Sequence, residues 1–185
     1  MRYGLCKSVF VSEYYKNINL RKSKDATLFI GRFRGGGDSY RSLMQFDLGK
    51  LSSDNFDKAY LIMDITRNEI SQASSQVGVY RMLRDWEEKA VTWESALAQA
   101  AVPELTFTVV QGWIGLLIVD LTQLVRRWLD YTYLNYGIIL VGDETINSLI
   151  AVNHSAYAST ERAPHIVTLS RKGNVAKPIE VGIKE

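Results

Sequence analysis

The chain holds two histidines, His154 and His165. Neither has another histidine, cysteine or carboxylate at the spacing of a metal set or a nucleophile–base pair, so both read as satisfied structural histidines. Glu87 and Glu88 adjoin Trp86, but neighbours on a strand point to opposite faces. They therefore do not form the facing carboxylate pair of a glycosidase. Gly35-Gly36-Gly37 is not followed by a helix carrying Lys-Ser or Lys-Thr, so it reads as a hairpin turn between Phe33 and Tyr40 rather than a phosphate loop. The chemistry in reach is therefore recognition. No catalytic residue, metal ligand or cofactor is expected.

A sugar ring is held by aromatic faces that stack on its apolar side, next to polar groups that bond its hydroxyls. Tyr40 beside Asp38, together with Trp113, Tyr131 and Tyr133, are the aromatics expected at the surface and are the candidate stacking residues. Exposed tyrosines serve protein interfaces equally well. Trp86, Trp93 and Trp128 fall on apolar faces and are assigned to packing. Arg41, Gln45 and Asp47 share one parity of a single strand. Arg41 and Asp47 are read as structural, with Glu161 and Asp120 as candidate acidic partners for the arginine, because an unpaired buried charge costs several kcal/mol.

These residues must be placed by strands. Period-two alternation marks ten of them: Ser8 to Val11, Thr27 to Gly31, Ser42 to Leu48, Ala59 to Ile65, Gln76 to Met82, Glu104 to Val110, Gly115 to Val119, Tyr136 to Val141, Ser148 to Val152 and His165 to Leu169. Gly, Asn, Asp and Ser clusters separate them, the pattern of an all-β antiparallel sandwich. One amphipathic helix is predicted from Asp120 to Asp130. Asp120 serves as its cap, and Leu121, Leu124, Val125, Trp128 and Leu129 form its apolar stripe. A second, shorter helical turn is expected from Glu94 to Ala101.

The 185 residues suit one domain, assigned to residues 1–170, with residues 171–185 as an extension. In that extension Ile179, Val181 and Ile183 alternate with Glu180, Gly182 and Lys184. An added strand is predicted there, pairing with its own sheet or with a neighbour's edge. A net charge of +2, with 22 basic and 20 acidic residues, supplies no nucleic-acid field. No apolar run reaches the roughly 18 residues of a membrane span, and no secretory leader is visible at the start. The single cysteine, Cys6, forms no internal disulfide and reads as an inert thiol, with interchain pairing as the alternative.

Taken in order, several short motifs resemble the DNRLRE domain of bacterial surface and secreted proteins, a module grouped with carbohydrate-binding modules. They are Leu28-Phe29-Ile30-Gly31-Arg32, Arg41 to Leu48, Ala59-Tyr60-Leu61 and Val79-Tyr80-Arg81. Trp86-Glu87, Val91-Thr92-Trp93, Val119-Asp120-Leu121-Thr122 with Trp128, Tyr136-Gly137-Ile138, Ser159-Thr160-Glu161 and Pro164 complete the series. The resemblance spans Tyr14 to Val167 and implies a jelly-roll-like sandwich without a catalytic role. Two functions follow as expectations. The first is a structural subunit of an extracellular, cell-surface or spore-associated assembly. It would form a homo-oligomer or filament through its terminal segments, with Cys6, Ile179, Val181 and Ile183 at the joint. The alternative is a carbohydrate-binding module for a cell-wall or environmental polysaccharide.

Overall fold

The computed structural model describes residues 1–21, 27–154 and 162–170. Glu161 and the strand expected over Ile179, Val181 and Ile183 lie outside the described residues.

Ten strands are present: β1 (Arg2–Ser12), β2 (Thr27–Arg32), β3 (Ser39–Phe46), β4 (Lys58–Asn68), β5 (Ser74–Arg81), β6 (Leu105–Val110), β7 (Gly115–Asp120), β8 (Ile138–Gly142), β9 (Ile150–Asn153) and β10 (His165–Leu169). Every pairing is antiparallel. One sheet is built around β4. Its Tyr60 to Ile65 pair β7 on one side, while β10 and β9 lie end to end along the other. The second sheet runs β1, β3, β8, β5, β6. Two strands turn the corner between the sheets. The first residues of β1 pair β10, and after a bulge between Leu5 and Lys7 the rest pairs β3. Thr27 to Ile30 of β2 pair β9, whereas Gly31 and Arg32 pair β3. Gly31 makes that corner possible: its φ is +92°, and a Cβ there would lie 2.5 Å from the Ser148 carbonyl oxygen. The expected all-β sandwich is the fold observed.

Alternation decides what faces inward. Ala59, Leu61, Met63 and Ile65 of β4 are all fully buried, whereas the residues between them are half-exposed. Each such Leu or Ile contributes about 1.5–3 kcal/mol by leaving water.

The helix α1 (Thr122–Leu129) is shorter than the sequence predicts. Asp120 is the last residue of β7, and Leu121 occupies the capping position without a side-chain cap. Asp120 still accepts a 2.9 Å bond from the Thr122 amide and a 2.9 Å bond from Lys58 Nζ, so it is not the partner of Arg41. Leu121, Leu124, Val125 and Trp128 carry the stripe inward. The expected helix from Glu94 to Ala101 is a single 3-10 turn at Ser95–Leu97.

Period-two reasoning leaves the outer face of the second sheet to solvent, yet that face is covered. Val9, Val11, Leu43 and Ile139 pack under Met82, Trp86, Val91 and Ala96 from the connection between β5 and β6, a second core on the reverse of the sheet. Ser8 to Ser12 of β1 are therefore buried on both faces. A polar cluster fastens this cover. Glu88 accepts from the Ser8 amide at 3.0 Å and from Arg21 Nε at 2.6 Å, and Ser8 Oγ lies 2.7 Å from His154 Nε2. Both Glu88 oxygens are engaged away from the ring and Ser8 is 2% exposed, so the trio is a clasp and not a hydrolytic centre.

The clasp sets a pH dependence. Burial disfavours the charged imidazole and holds the His154 pKa below its ordinary 6.5, although the nearby Glu88 charge pulls the other way. The unfolded chain therefore binds a proton at higher pH than the fold does. The stability His154 adds is complete above 6.5 and is lost as pH falls through the depressed folded value. Burial pushes the Glu88 carboxyl up, but the Ser8 amide and Arg21 outweigh it, so its pKa lies below 4.5 and its stabilisation fades below that pH. His154→Gln is expected to flatten the fall in thermal midpoint between pH 7 and 5. An unchanged slope would remove His154 from the account.

Candidate functional site

A cleft of 620 Å³ lies between the end of β3, the loop that follows it, and the last turn of α1. Gln45 and Asp47 stand on one wall, Trp128 and Leu129 on the other, with Tyr131 and Asn135 also lining it. That volume falls within the usual range for a small-molecule or single-chain site. Gln45 is the last polar residue of β3. Its Nε2 donates to the Asn135 carbonyl at 2.7 Å, and Asn135 Nδ2 donates back to the Phe46 carbonyl at 3.2 Å. This reciprocal pair pins the wall in place. Asp47 lies one residue beyond the strand, exposed, and accepts from the Gly49 amide at 3.0 Å to close a tight turn. It does not share a buried polar face with Arg41. Cys6, the residue at the β1 bulge, also lines the cleft. Its thiol donates to the Gln45 carbonyl at 3.4 Å, and partial burial pushes its pKa up, away from the thiolate.

Two of the lining residues each carry a buried polar atom without a partner among the described residues: Gln45 Oε1, an acceptor, and Trp128 Nε1, a donor. Each is buried, and leaving such a group unbonded costs about 1–3 kcal/mol. A third feature lies at the lip. Tyr131 follows the helix with φ +61°, the sole non-glycine residue at positive φ among the described residues, and its side chain is 83% exposed. Glycine usually ends a helix in this conformation, since a Cβ there costs about 1–2 kcal/mol. The turn is held by the Asp130 carboxylate, which accepts from the Thr132 amide at 2.9 Å and is kept below the ordinary carboxylate pKa by its bonds to Thr132. A strained backbone that presents a bare phenol ring at the lip of a cleft makes Tyr131 the candidate contact residue here. The readable sequence signal is the missing glycine after the helix. Nothing local marks Asn135 or the orphaned atoms.

The other sequence-selected aromatics are not gathered here. Tyr40 is half-buried against Phe10 and Phe29, with ring centroids 6.2 and 5.7 Å away, and its phenol is pushed up to about 12 by burial and by Asp38. Tyr133 lies under Arg81, whose guanidinium is 3.9 Å from the ring centroid, and accepts from Arg127 at 3.3 Å, so one of its faces is already taken. Trp113 is 51% exposed on the turn between β6 and β7, beside Ile114 and away from the cleft. The tryptophans assigned to packing divide between the two cores. Trp128 is in the inner one, whereas Trp86 and the half-buried Trp93 belong to the outer. Arg41 stacks over Trp93 at 4.3 Å and makes a two-pronged bond to Glu144 at 2.7 and 2.9 Å, a partner the sequence does not reveal.

Among the described residues no group of three or more His, Cys, Asp or Glu side chains could hold a metal ion. The family model for carbohydrate-binding module family 96 matches residues 7–169, nearly the whole described body. No curated protein matches the chain.

Proposed function

The chain belongs to carbohydrate-binding module family 96, and from that premise we propose that it is a non-catalytic module that binds a polysaccharide in the cleft beside α1. The observation that carries the reading is the exposed Tyr131, held at positive φ at the lip of the cleft. A sugar hydroxyl both donates and accepts. Polar groups at the cleft surface would bond the hydroxyls while Tyr131 stacks on the apolar face of the ring; Gln45 Oε1 and Trp128 Nε1 are sealed from solvent and would join only if the walls part. Asp47 is the one charged residue of the cleft, so recognition there rests on hydroxyls and not on charge. A neighbouring hollow of 390 Å³ shares Asp47 and Gly49 and adds Arg2 and Lys50, which gives room for a chain longer than one ring. The family match supports this reading over the structural subunit, and the setting it suggests is outside the cell, where such polymers are.

The test separates binding from folding. Tyr131→Gly removes the platform but relieves the positive φ, so its thermal midpoint should equal or exceed that of the parent. Its affinity for the retarding polysaccharide in a native affinity gel should fall at least about tenfold, as for a residue worth over 1 kcal/mol. Equal retardation of both proteins would move the site elsewhere, with Trp113→Ala as the next variant. No retardation across a broad glycan panel would overturn the reading.

A further inference from the structure

Strand β3 has a hollow at each end. Gln45 and Phe46 at its close line the cleft of Tyr131, while Tyr40 at its start lines a second pocket, of 290 Å³. The span from Tyr40 to Gln45 is about 17 Å along the strand. This second pocket forms where the corner strands β1 and β2 meet β3, and its walls are aromatic. Phe10 of β1, Phe29 of β2 and Tyr40 pack with ring centroids 5.1, 5.7 and 6.2 Å apart. Phe33 closes one side. The guanidinium groups of Arg34 and Arg67 lie 4.6 and 5.1 Å from its ring centroid and hold it in place, and its amide donates to the Asp38 carbonyl at 3.0 Å. Tyr15 stands at the lip, 46% exposed. It meets Tyr14 edge-on at 4.9 Å, and its amide donates to Ser12 Oγ at 3.4 Å.

We infer that this pocket is a second glycan site, which takes a single neutral sugar ring. Three observations choose that ligand. Size is the first: 290 Å³ is the room of roughly ten waters at about 30 Å³ each, close to the bulk of the roughly eleven non-hydrogen atoms of one pyranose unit. A chain segment of several rings needs more. Polarity is the second. Aromatic and aliphatic side chains make most of the wall, and the polar groups that reach it are the tyrosine hydroxyls and Arg67. An amphipathic ring matches that wall, with its apolar face on the aromatics and its hydroxyls toward the lip. Charge is the third. Arg67 is the one charged lining residue and is paired with Glu69, while Tyr40 keeps its proton, so no unpaired charge of the wall calls for an anionic sugar. The inference rests on the carbohydrate-binding reading of the chain but not on the assignment of the cleft. A polymer held at one end of β3 would meet the site at the other end at an effective concentration in the millimolar range.

Nuclear magnetic resonance of the full-length protein tests the site, with methyl glycosides of glucose, galactose, mannose and xylose and with N-acetylglucosamine as probes. At least one should give saturable shifts of the Tyr15, Phe33 and Tyr40 ring signals, and Tyr131→Gly should leave those shifts unchanged. Phe33→Leu keeps most of the apolar bulk, and Tyr15→Ala changes an exposed lip, so both variants should melt close to the parent. Each should weaken the binding read at the remaining pocket signals by at least about tenfold. Shifts confined to Tyr131 and Gln45 would overturn the second site and leave the cleft standing. Pocket shifts that neither substitution weakens would overturn it too. So would the absence of any shift in the folded protein, and retardation of that protein by polysaccharide would then show that the pocket alone has failed. Benzyl alcohol is the control: if it shifts the pocket rings and no glycoside does, the ligand is an apolar ring and the sugar assignment falls.

Discussion

Trp128→Ala is expected to lower the unfolding free energy by about 3–5 kcal/mol, among the largest effects of any single side-chain truncation in this protein. Trp128 is 4% exposed and ends the buried stripe of α1, with Leu121, Leu124 and Val125 before it. That helix has no side-chain cap and is only eight residues long, too short to persist without its packing. Removing the indole opens a cavity beneath the cleft and loosens the last turn that presents Tyr131, so glycan binding should fail together with stability. Trp128→Phe separates the two roles. It keeps most of the apolar burial and deletes the partnerless Nε1, so stability should fall by less than about 2 kcal/mol. Binding should weaken if that N–H meets a hydroxyl. Denaturant midpoints with unchanged slopes read the first quantity, and affinity-gel retardation of the folded variants reads the second. A Trp128→Ala midpoint equal to the parent's would show that α1 does not depend on this side chain.

The strands were legible because their signal is local. A residue's parity is visible two positions away, and all ten segments picked by alternation match strands of the sandwich. What covers each face is not local. Leu43 and Met44 look alike in sequence, yet Met44 packs in the inner core and Leu43 under Trp86 in the outer one. The difference comes from a connection nearly forty residues downstream folding back over the sheet. Arg41 illustrates the same limit. Its buried charge demanded a carboxylate, which was foreseeable, but Glu144 is brought to it only by the β3–β8 pairing of Arg41 with Val141. The lining of the candidate cleft was partly legible for the same reason. Tyr131 was chosen as an exposed aromatic, and the absence of glycine after the helix could have marked it more sharply. Gln45 and Trp128 were seen as a strand residue and a core residue. Their unsatisfied atoms exist only once the folded chain closes around them. Tyr40 and Tyr133, chosen on the same compositional grounds, are half-buried under rings and guanidinium groups that come from distant strands.

Gly137→Ala is expected to destabilise by roughly 3–5 kcal/mol, the sum of a Cβ at positive φ and an overpacked contact that cannot relax. Gly137 has φ +85°, and a methyl group there would press on the Met44 carbonyl and lie 3.0 Å from Gln45 Cα. These are backbone atoms of a central strand, unable to move aside as a flexible side chain would. Three things hang on this close approach. The Gly137 carbonyl accepts from the Met82 amide at 2.9 Å, β8 begins at the next residue, and the Asn135 carbonyl just before it receives Gln45 Nε2. Displacing the loop would strip a pairing from β3, unpin the cleft wall and release Trp86, whose Nε1 donates to the Tyr136 carbonyl at 2.8 Å. Gly35→Ala is the control. Its φ of +64° carries a similar backbone cost, but the added methyl meets nothing within 4 Å, so only about 1–2 kcal/mol should be lost and glycan retardation should survive. If the two variants melt alike, the contact with β3 contributes nothing and positive φ alone explains both. If Gly137→Ala melts far lower and its folded fraction no longer retards on polysaccharide, the close packing of this loop on β3 holds both the sheet and the cleft.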